Sequence, residues 1–107
     1  MGASGERIVV ITPAGLGLLR TTPISKVEYQ ALWTIVALLG PAGGVLSQAE
    51  VANTLNTSVP YINRALKNLC AAGLLFREEK VGTHYRYRLN PAYFRLIVGK
   101  NELAHFR

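Results

Sequence analysis

Aspartate is missing from this 107-residue chain, and its six acids are all glutamates: Glu6, Glu28, Glu50, Glu78, Glu79 and Glu102. The absence removes chemistry built on aspartate pairs, on Asp-rich cation loops and on an Asp-oriented triad. Cysteine occurs once, at Cys70, and histidine twice, at His84 and His105. These cannot make a disulfide framework or a zinc finger, and they fall on three separate elements, so no metal site is expected. Long apolar runs are lacking too. Thr12, Pro13, Gly15 and Gly17 break the apolar N-terminal stretch, well short of the ~18 residues of a membrane span. No basic lead of a secretory signal precedes that stretch, and Glu6 stands where an N-myristoylation signal takes Ser or Thr. A cytoplasmic protein with no membrane partner is expected. Gly15-Leu16-Gly17 lacks the third glycine of a dinucleotide fingerprint, and no βαβ unit follows, so a turn with packed leucines is its expected use.

Charged residues are scarce, 17% against 50% apolar. One packed domain is therefore expected rather than a disordered basic tail. The charge that exists is lopsided. Twelve Lys and Arg against six Glu give +6 at pH 7. Residues 1–60 balance Arg7, Arg20 and Lys26 with three glutamates, while residues 61–107 hold nine cations and three glutamates. The second half thus carries the whole excess, which points to a polyanion partner, nucleic acid before a membrane surface.

Punctuation divides the chain. Arg7 to Thr12 is β-branched and stops at Pro13, which predicts a short strand or an extended arm; Pro13 to Thr22 reads as irregular. Ser25-Lys26-Val27-Glu28 is a capping box opening a helix that ends at Gly40-Pro41. Between Ala31 and Leu39 only Thr34 is polar, so more than one face of that helix must be covered, and a subunit interface is a plausible cover. Val45-Leu46 reads as a two-residue strand. A second capping box, Ser47-Gln48-Ala49-Glu50, opens a helix to about Leu55, and Asn56 suits the left-handed turn after it. A third helix starts at Thr57 or Ser58, with Pro60 in its first turn, and ends at Gly73. Leu74 to Glu79 and His84 to Leu89 read as a hairpin around Lys80-Val81-Gly82-Thr83. Asn90-Pro91 reads as the N-cap and N1 of a last helix through about Leu103.

The third helix carries the functional signal. On a wheel, Ile62, Ala65, Leu66 and Leu69 share one face, and Pro60, Arg64, Lys67, Asn68 and Ala71 share the other, with Tyr61 and Asn63 flanking. Two cations, two amides, a phenol and no acid suit a helix in the DNA major groove. In the ribbon, Tyr85, Tyr87 and Leu89 share one face and His84, Arg86 and Arg88 the other. Arg77, Lys80, Thr83, His84, Arg86 and Arg88 are candidates for phosphate or minor-groove contact. Glu78 and Glu79 oppose that use unless they face away or pair with Arg86 or Arg88. Cys70 beside Leu69 reads as a structural thiol with no second cysteine to resolve a sulfenate.

The run Ser47 to Leu69, S-Q-A-E-V-A-N-T-L-N-T-S-V-P-Y-I-N-R-A-L-K-N-L, resembles the helix-turn-helix of winged-helix regulators of the MarR-like and ArsR-like families. Cys70-Ala71-Ala72-Gly73-Leu74-Leu75 matches their exit into the wing. Asn56 in place of Gly and Pro60 in the recognition helix depart from the pattern. Tyr87-Arg88-Leu89-Asn90-Pro91-Ala92-Tyr93-Phe94 is similar to the end of the wing in RepL-type plasmid replication proteins, which implies a plasmid or mobile-element role.

The expected fold is α+β, mainly helical: a winged helix-turn-helix over residues 25–90, a strand or arm over 1–24 and a dimerising helix over 91–107. The expected function is sequence-specific binding of double-stranded DNA by a homodimer, a transcriptional repressor or autoregulator on an inverted repeat, associated with nucleoid or plasmid. Ser58, Pro60, Tyr61, Asn63, Arg64, Lys67 and Asn68 form the recognition set. Trp33, Val36, Tyr93, Ile97 and Leu103 are the candidate dimer contacts. No nucleophile–base pair, metal set or paired carboxylates can be assembled, so neither an enzyme nor a cofactor is expected. Whether a small-molecule effector acts is left open. A plasmid replication or partition protein binding iterons or a centromere, and a winged-helix protein-interaction module, are the alternatives.

Overall fold

In the computed structural model, residues 7–39 and 43–98 are described. Helix α2 (Lys26–Leu38) begins at a complete capping box: Ser25 Oγ accepts from the Glu28 N–H at 3.2 Å, and the Ser25 N–H donates to Glu28 Oε1 at 3.1 Å. After the short strand β2 (Gly44–Leu46), Ser47 caps α3 (Gln48–Thr54) by accepting from the Glu50 N–H at 3.2 Å. Ser58 caps α4 (Val59–Ala71) in the same way, with Pro60 in the first turn, where a missing N–H leaves nothing unpaired.

Two tight turns direct the chain from α3 into α4 and from α4 into the sheet. Beyond α3, Asn56 takes a φ of 54°; its N–H donates to Asn53 O at 3.2 Å and the Thr57 N–H to Ala52 O at 2.9 Å. Beyond α4, Gly73 takes a φ of 82°, with Gly73 N–H on Cys70 O and Leu74 N–H on Leu69 O. Both are Schellman motifs, which satisfy carbonyls that a helix end leaves open. Asn56 is thus the sole non-glycine residue at positive φ among the described residues, a conformation that costs a residue with an ordinary Cβ about 1–2 kcal/mol. Asn56→Ala should therefore lower unfolding stability by about 1 kcal/mol in a urea titration, and Asn56→Gly should not.

The wing follows at once. Strand β3 (Leu75–Val81) and β4 (His84–Leu89) pair antiparallel around a two-residue turn in which Gly82 has a φ of 65°. The strands reach closer to the turn than the sequence suggests. β2 pairs with the other edge of β4, giving the order β2-β4-β3. A bulge lies between Arg77 and Lys80, so Glu78 and Glu79 together stand where one residue would.

The core gathers Leu32 and Ile35 of α2, Val51 of α3, Ile62, Leu66 and Leu69 of α4, Leu74 and Leu75, and closes on Tyr87 and Leu89 of the sheet. α4 is the hub, packing on α2, α3 and β3. Its four predicted inward residues, Ile62, Ala65, Leu66 and Leu69, are all buried. The expected winged-helix fold is present.

The two ends of the chain differ from expectation. Pro13 to Thr21 is helix α1, not an irregular stretch. Thr12 Oγ1 accepts from the Gly15 N–H at 3.1 Å and Pro13 sits at N1, a start signal that two glycines obscure. Gly15 has a packing reason: a Cβ there would lie 2.6 Å from the Tyr93 carbonyl oxygen. Leu16, expected to pack, is instead exposed. At the other end, Phe94–Val98 is strand β5, not part of a helix. Asn90 does not cap a helix; its Oδ1 accepts from the Ala92 N–H at 2.9 Å and its Nδ2 donates to Gly73 O at 2.7 Å. The chain then turns through Tyr93 and pairs antiparallel with β1 (Arg7–Ile11), from Ile11 opposite Phe94 to Arg7 opposite Val98. The predicted N-terminal strand exists, and its partner is the segment read as helix.

Candidate nucleic-acid interface

The outward face of α4 exposes Pro60, Tyr61, Arg64, Lys67, Asn68 and Ala71, as the wheel predicts. Tyr61 is 55% exposed and its ring lies under the Arg64 guanidinium, 5.6 Å from carbon to centroid. Stacking of this kind restrains an arginine while leaving its donors free. Ser58 spends its hydroxyl on the helix cap, where it accepts from the Tyr61 N–H. The two amides are engaged. Asn63 Nδ2 donates to Gln48 Oε1 at 3.3 Å, and Asn68 Nδ2 to Glu28 Oε2 at 2.6 Å. Asn68 is therefore tied back to the start of α2, and Glu28 sets a carboxylate beside the recognition face. Neither Gln48 nor Glu28 is legible as a site residue, because each partner lies on another helix, 15 and 40 positions away.

The wing divides its charges between two faces. Arg77 stands opposite Tyr87 and Lys80 opposite Tyr85 in the ladder, so these cations share the tyrosine face. Arg77 stacks on Tyr85 at 4.5 Å and Lys80 lies 5.8 Å from the same ring. Arg77 also joins Lys67 in lining a cavity of about 360 Å³ between α4 and the sheet. On the other face, Arg86 Nε donates to Glu79 and Arg88 Nε to Glu78, both at 2.9 Å, and Arg88 lies 4.8 Å from the Phe76 ring centroid. Glu79's own backbone amide, then Arg86, hold its carboxyl below the usual carboxylate range, so this pair stays charged at neutral pH. Of the six predicted wing residues, Arg86 and Arg88 are thus matched by glutamates. Thr83 and His84 are exposed at the tip.

Cys70 is half-buried on the wall of the same cavity. Burial pushes its thiol above the ordinary value, with Arg77 opposing, so it is no preformed thiolate. Among the described residues no group of three His, Cys or Glu could hold a metal ion. No helix among them is long and apolar enough to cross a membrane.

The predicted dimer contacts are scattered. Trp33, on the outer side of α2, is 42% exposed with Leu38 beyond it at 57%, while Val36 is half-buried. Tyr93 is half-buried in the turn before β5, Ile97 belongs to β5, and Leu103 lies outside the described residues. Among the described residues, Tyr93 and Ile97 share no helix.

Comparison with known proteins follows the same outline. The sequence model of the MarR family matches residues 24–84. No curated protein sequence matches. Among solved structures, a point mutant of MepR from a multidrug-resistant S. aureus clinical isolate is similar over 75% of this chain and 57% of its own, at 21% identity and a TM-score of 0.54. The MarR family transcription regulator SP03579 shares 24% identity over 72% of this chain and 48% of its own, with a TM-score of 0.49. The oxidised form of S. aureus CymR shares 26% identity over 64% and 55%, with a TM-score of 0.46. The chain spans about half the length of these proteins. Since the family match runs from the residue before the α2 cap to the start of β4 and covers more than half of the sequence, the chain belongs to the MarR family.

Proposed function

We propose that the protein binds duplex DNA sequence-specifically and represses transcription as a homodimer on an inverted repeat, its own promoter included. The observation that carries this reading is the outward face of α4. It holds Tyr61, Arg64, Lys67 and Asn68, with Asn63 half-buried at its edge, on a helix whose Ile62, Ala65, Leu66 and Leu69 are buried, and α4 itself contributes no acid. Family membership supports the reading. In this arrangement Arg64 reads guanine, Asn63 reads adenine, and Pro60 and Tyr61 lie near the bases. Lys67, Lys80 and Arg77 take phosphates, with Ser58 at the positive end of the helix and Thr83 and His84 at the wing tip. The protein is a binder and not an enzyme. Trp33 and Leu38 offer apolar surface to the second subunit.

Selection of duplexes from a randomised library tests this. The recovered site should be an inverted repeat with half-sites about 34 Å apart, one helical turn. Recovery of no common sequence would refute specific reading.

The paired arginines give a quantitative corollary. With Arg86 and Arg88 held by glutamates, each protomer keeps Arg64, Lys67, Arg77 and Lys80 for phosphate or base contact. The log–log salt slope should then be about −4 per protomer. Glu78→Gln combined with Glu79→Gln frees two more cations, so random duplex should bind more tightly and the slope should steepen by nearly 2, to about −5.5. Fluorescence anisotropy across a salt series measures both.

A further inference from the structure

Asn63 differs from every other polar residue on α4 in being half-buried and shared by two cavities. One is the cavity of about 360 Å³ that Tyr87 and Arg77 line; the other, about 430 Å³, runs past Gln48 toward Thr83 and His84 at the wing tip. Its side chain is therefore the ridge between the helix groove and the wing. On that ridge the Gln48 oxygen holds one Asn63 N–H, at 3.3 Å. Gln48 is itself well placed to be rigid. It is the first residue of α3, directly after the Ser47 cap, and is half-buried. Tyr87 is 3% exposed, and burial pushes its phenol upward while Gln48 opposes that rise. α3 and α4 thus meet at one pair of amides.

We infer that Gln48 is a positioning residue that presents Asn63 to a base pair in the orientation adenine requires. This rests on the DNA-reading role proposed for α4. The chemistry is a matter of what remains unspent. An asparagine amide has two N–H donors and one oxygen. With one N–H on Gln48, one donor and the Oδ1 acceptor remain, which is the pair that adenine N7 and N6–H₂ match in the major groove. A free asparagine can rotate its amide and offer the two groups in reverse order. Gln48 couples the two settings, because reversing the Asn63 amide requires the Gln48 amide to reverse with it.

Substitutions at position 48 separate this from a structural role. Gln48→Met nearly keeps the shape and removes both polar ends. Gln48→Glu keeps the acceptor. Base preference at each position of the selected duplex is measured for these variants, for Asn63→Ala and for Arg64→Ala, with circular dichroism confirming that each is folded. Asn63→Ala should lose roughly tenfold or more of the preference at one base pair. Gln48→Met should weaken preference at that same base pair and leave the Arg64 position unchanged. Gln48→Glu should retain it, while its added charge weakens all duplexes alike. The inference is overturned if Gln48→Met keeps the full preference at the Asn63 base pair, or if Gln48→Met and Gln48→Glu behave alike. It is also overturned if Asn63→Ala changes no position while Arg64→Ala does. A wild-type protein with no preference anywhere would instead sink the DNA-reading role, and with it this refinement. Should Gln48→Met fail to fold, Gln48→Ala, which removes the amide at a half-buried position, should blunt the same base pair and no other.

Discussion

Arg64→Ala is expected to remove discrimination at one base pair of each half-site, at a cost of about 1–3 kcal/mol, or roughly 5- to 150-fold in affinity for the selected duplex. Affinity for unrelated duplexes should fall far less. The reason lies in how Arg64 is held. It is exposed on the second turn of α4, and Tyr61 is the ring against which it stacks. Its five donors face solvent in the free protein, so bidentate contact to guanine needs no rearrangement of the core. For the same reason stability should scarcely move, within about 0.5 kcal/mol. Lys80→Ala provides the contrast: removing a cation that holds phosphate should weaken all sequences alike and reduce the magnitude of the salt slope by about 1. An Arg64→Ala protein with unchanged sequence preference would mean that α4 is not the reading element.

Leu69→Ala should do the reverse, lowering stability by about 2–5 kcal/mol while leaving the specificity of the folded fraction intact. Leu69 is 1% exposed and Leu74 is fully buried with it in the core. Leu69 also supplies the carbonyl that accepts the Leu74 N–H in the turn out of α4. A cavity there strikes the packing of α4 and the point where the wing departs, so relaxation into the gap is opposed from two sides. Domains of this size are typically stable by only about 5–15 kcal/mol. The thermal midpoint should therefore drop by on the order of 10 °C or more, read by circular dichroism. Together the two variants separate the reading face of α4 from its packing face.

Most of the winged helix was legible because its signals are local. Ser25 and Glu28 are three residues apart, and so are Ser58 and Tyr61; Gly73 and Gly82 each mark a backbone that bends to positive φ. The inward and outward faces of α4 followed from the helical period alone. What escaped depends on residues far apart in the chain. β5 forms on β1, more than 80 positions away, and no periodicity announces a partner at that distance. Asn90-Pro91 carries the signature of a helix start, yet Nδ2 of Asn90 donates to Gly73 O at the end of α4, and the same asparagine shapes a turn instead. The bulge in β3 likewise cannot be read from residue types. It sets Glu78 and Glu79 on the arginines of β4, so the face expected to be basic is neutral, and Arg77 and Lys80 lie on the tyrosine face. The supports of the two asparagines, Gln48 and Glu28, were hidden for the same reason.

The most direct measurement is a pair of titrations, one on the selected duplex and one on its scrambled counterpart, at about 0.15 M salt and across a salt series. The expected result is a preference on the order of 10³ or more for the selected duplex, with both affinities falling steeply as salt rises. Equal affinity for the two duplexes, or binding indifferent to salt, would contradict the assignment of α4 and the wing as a DNA-reading surface.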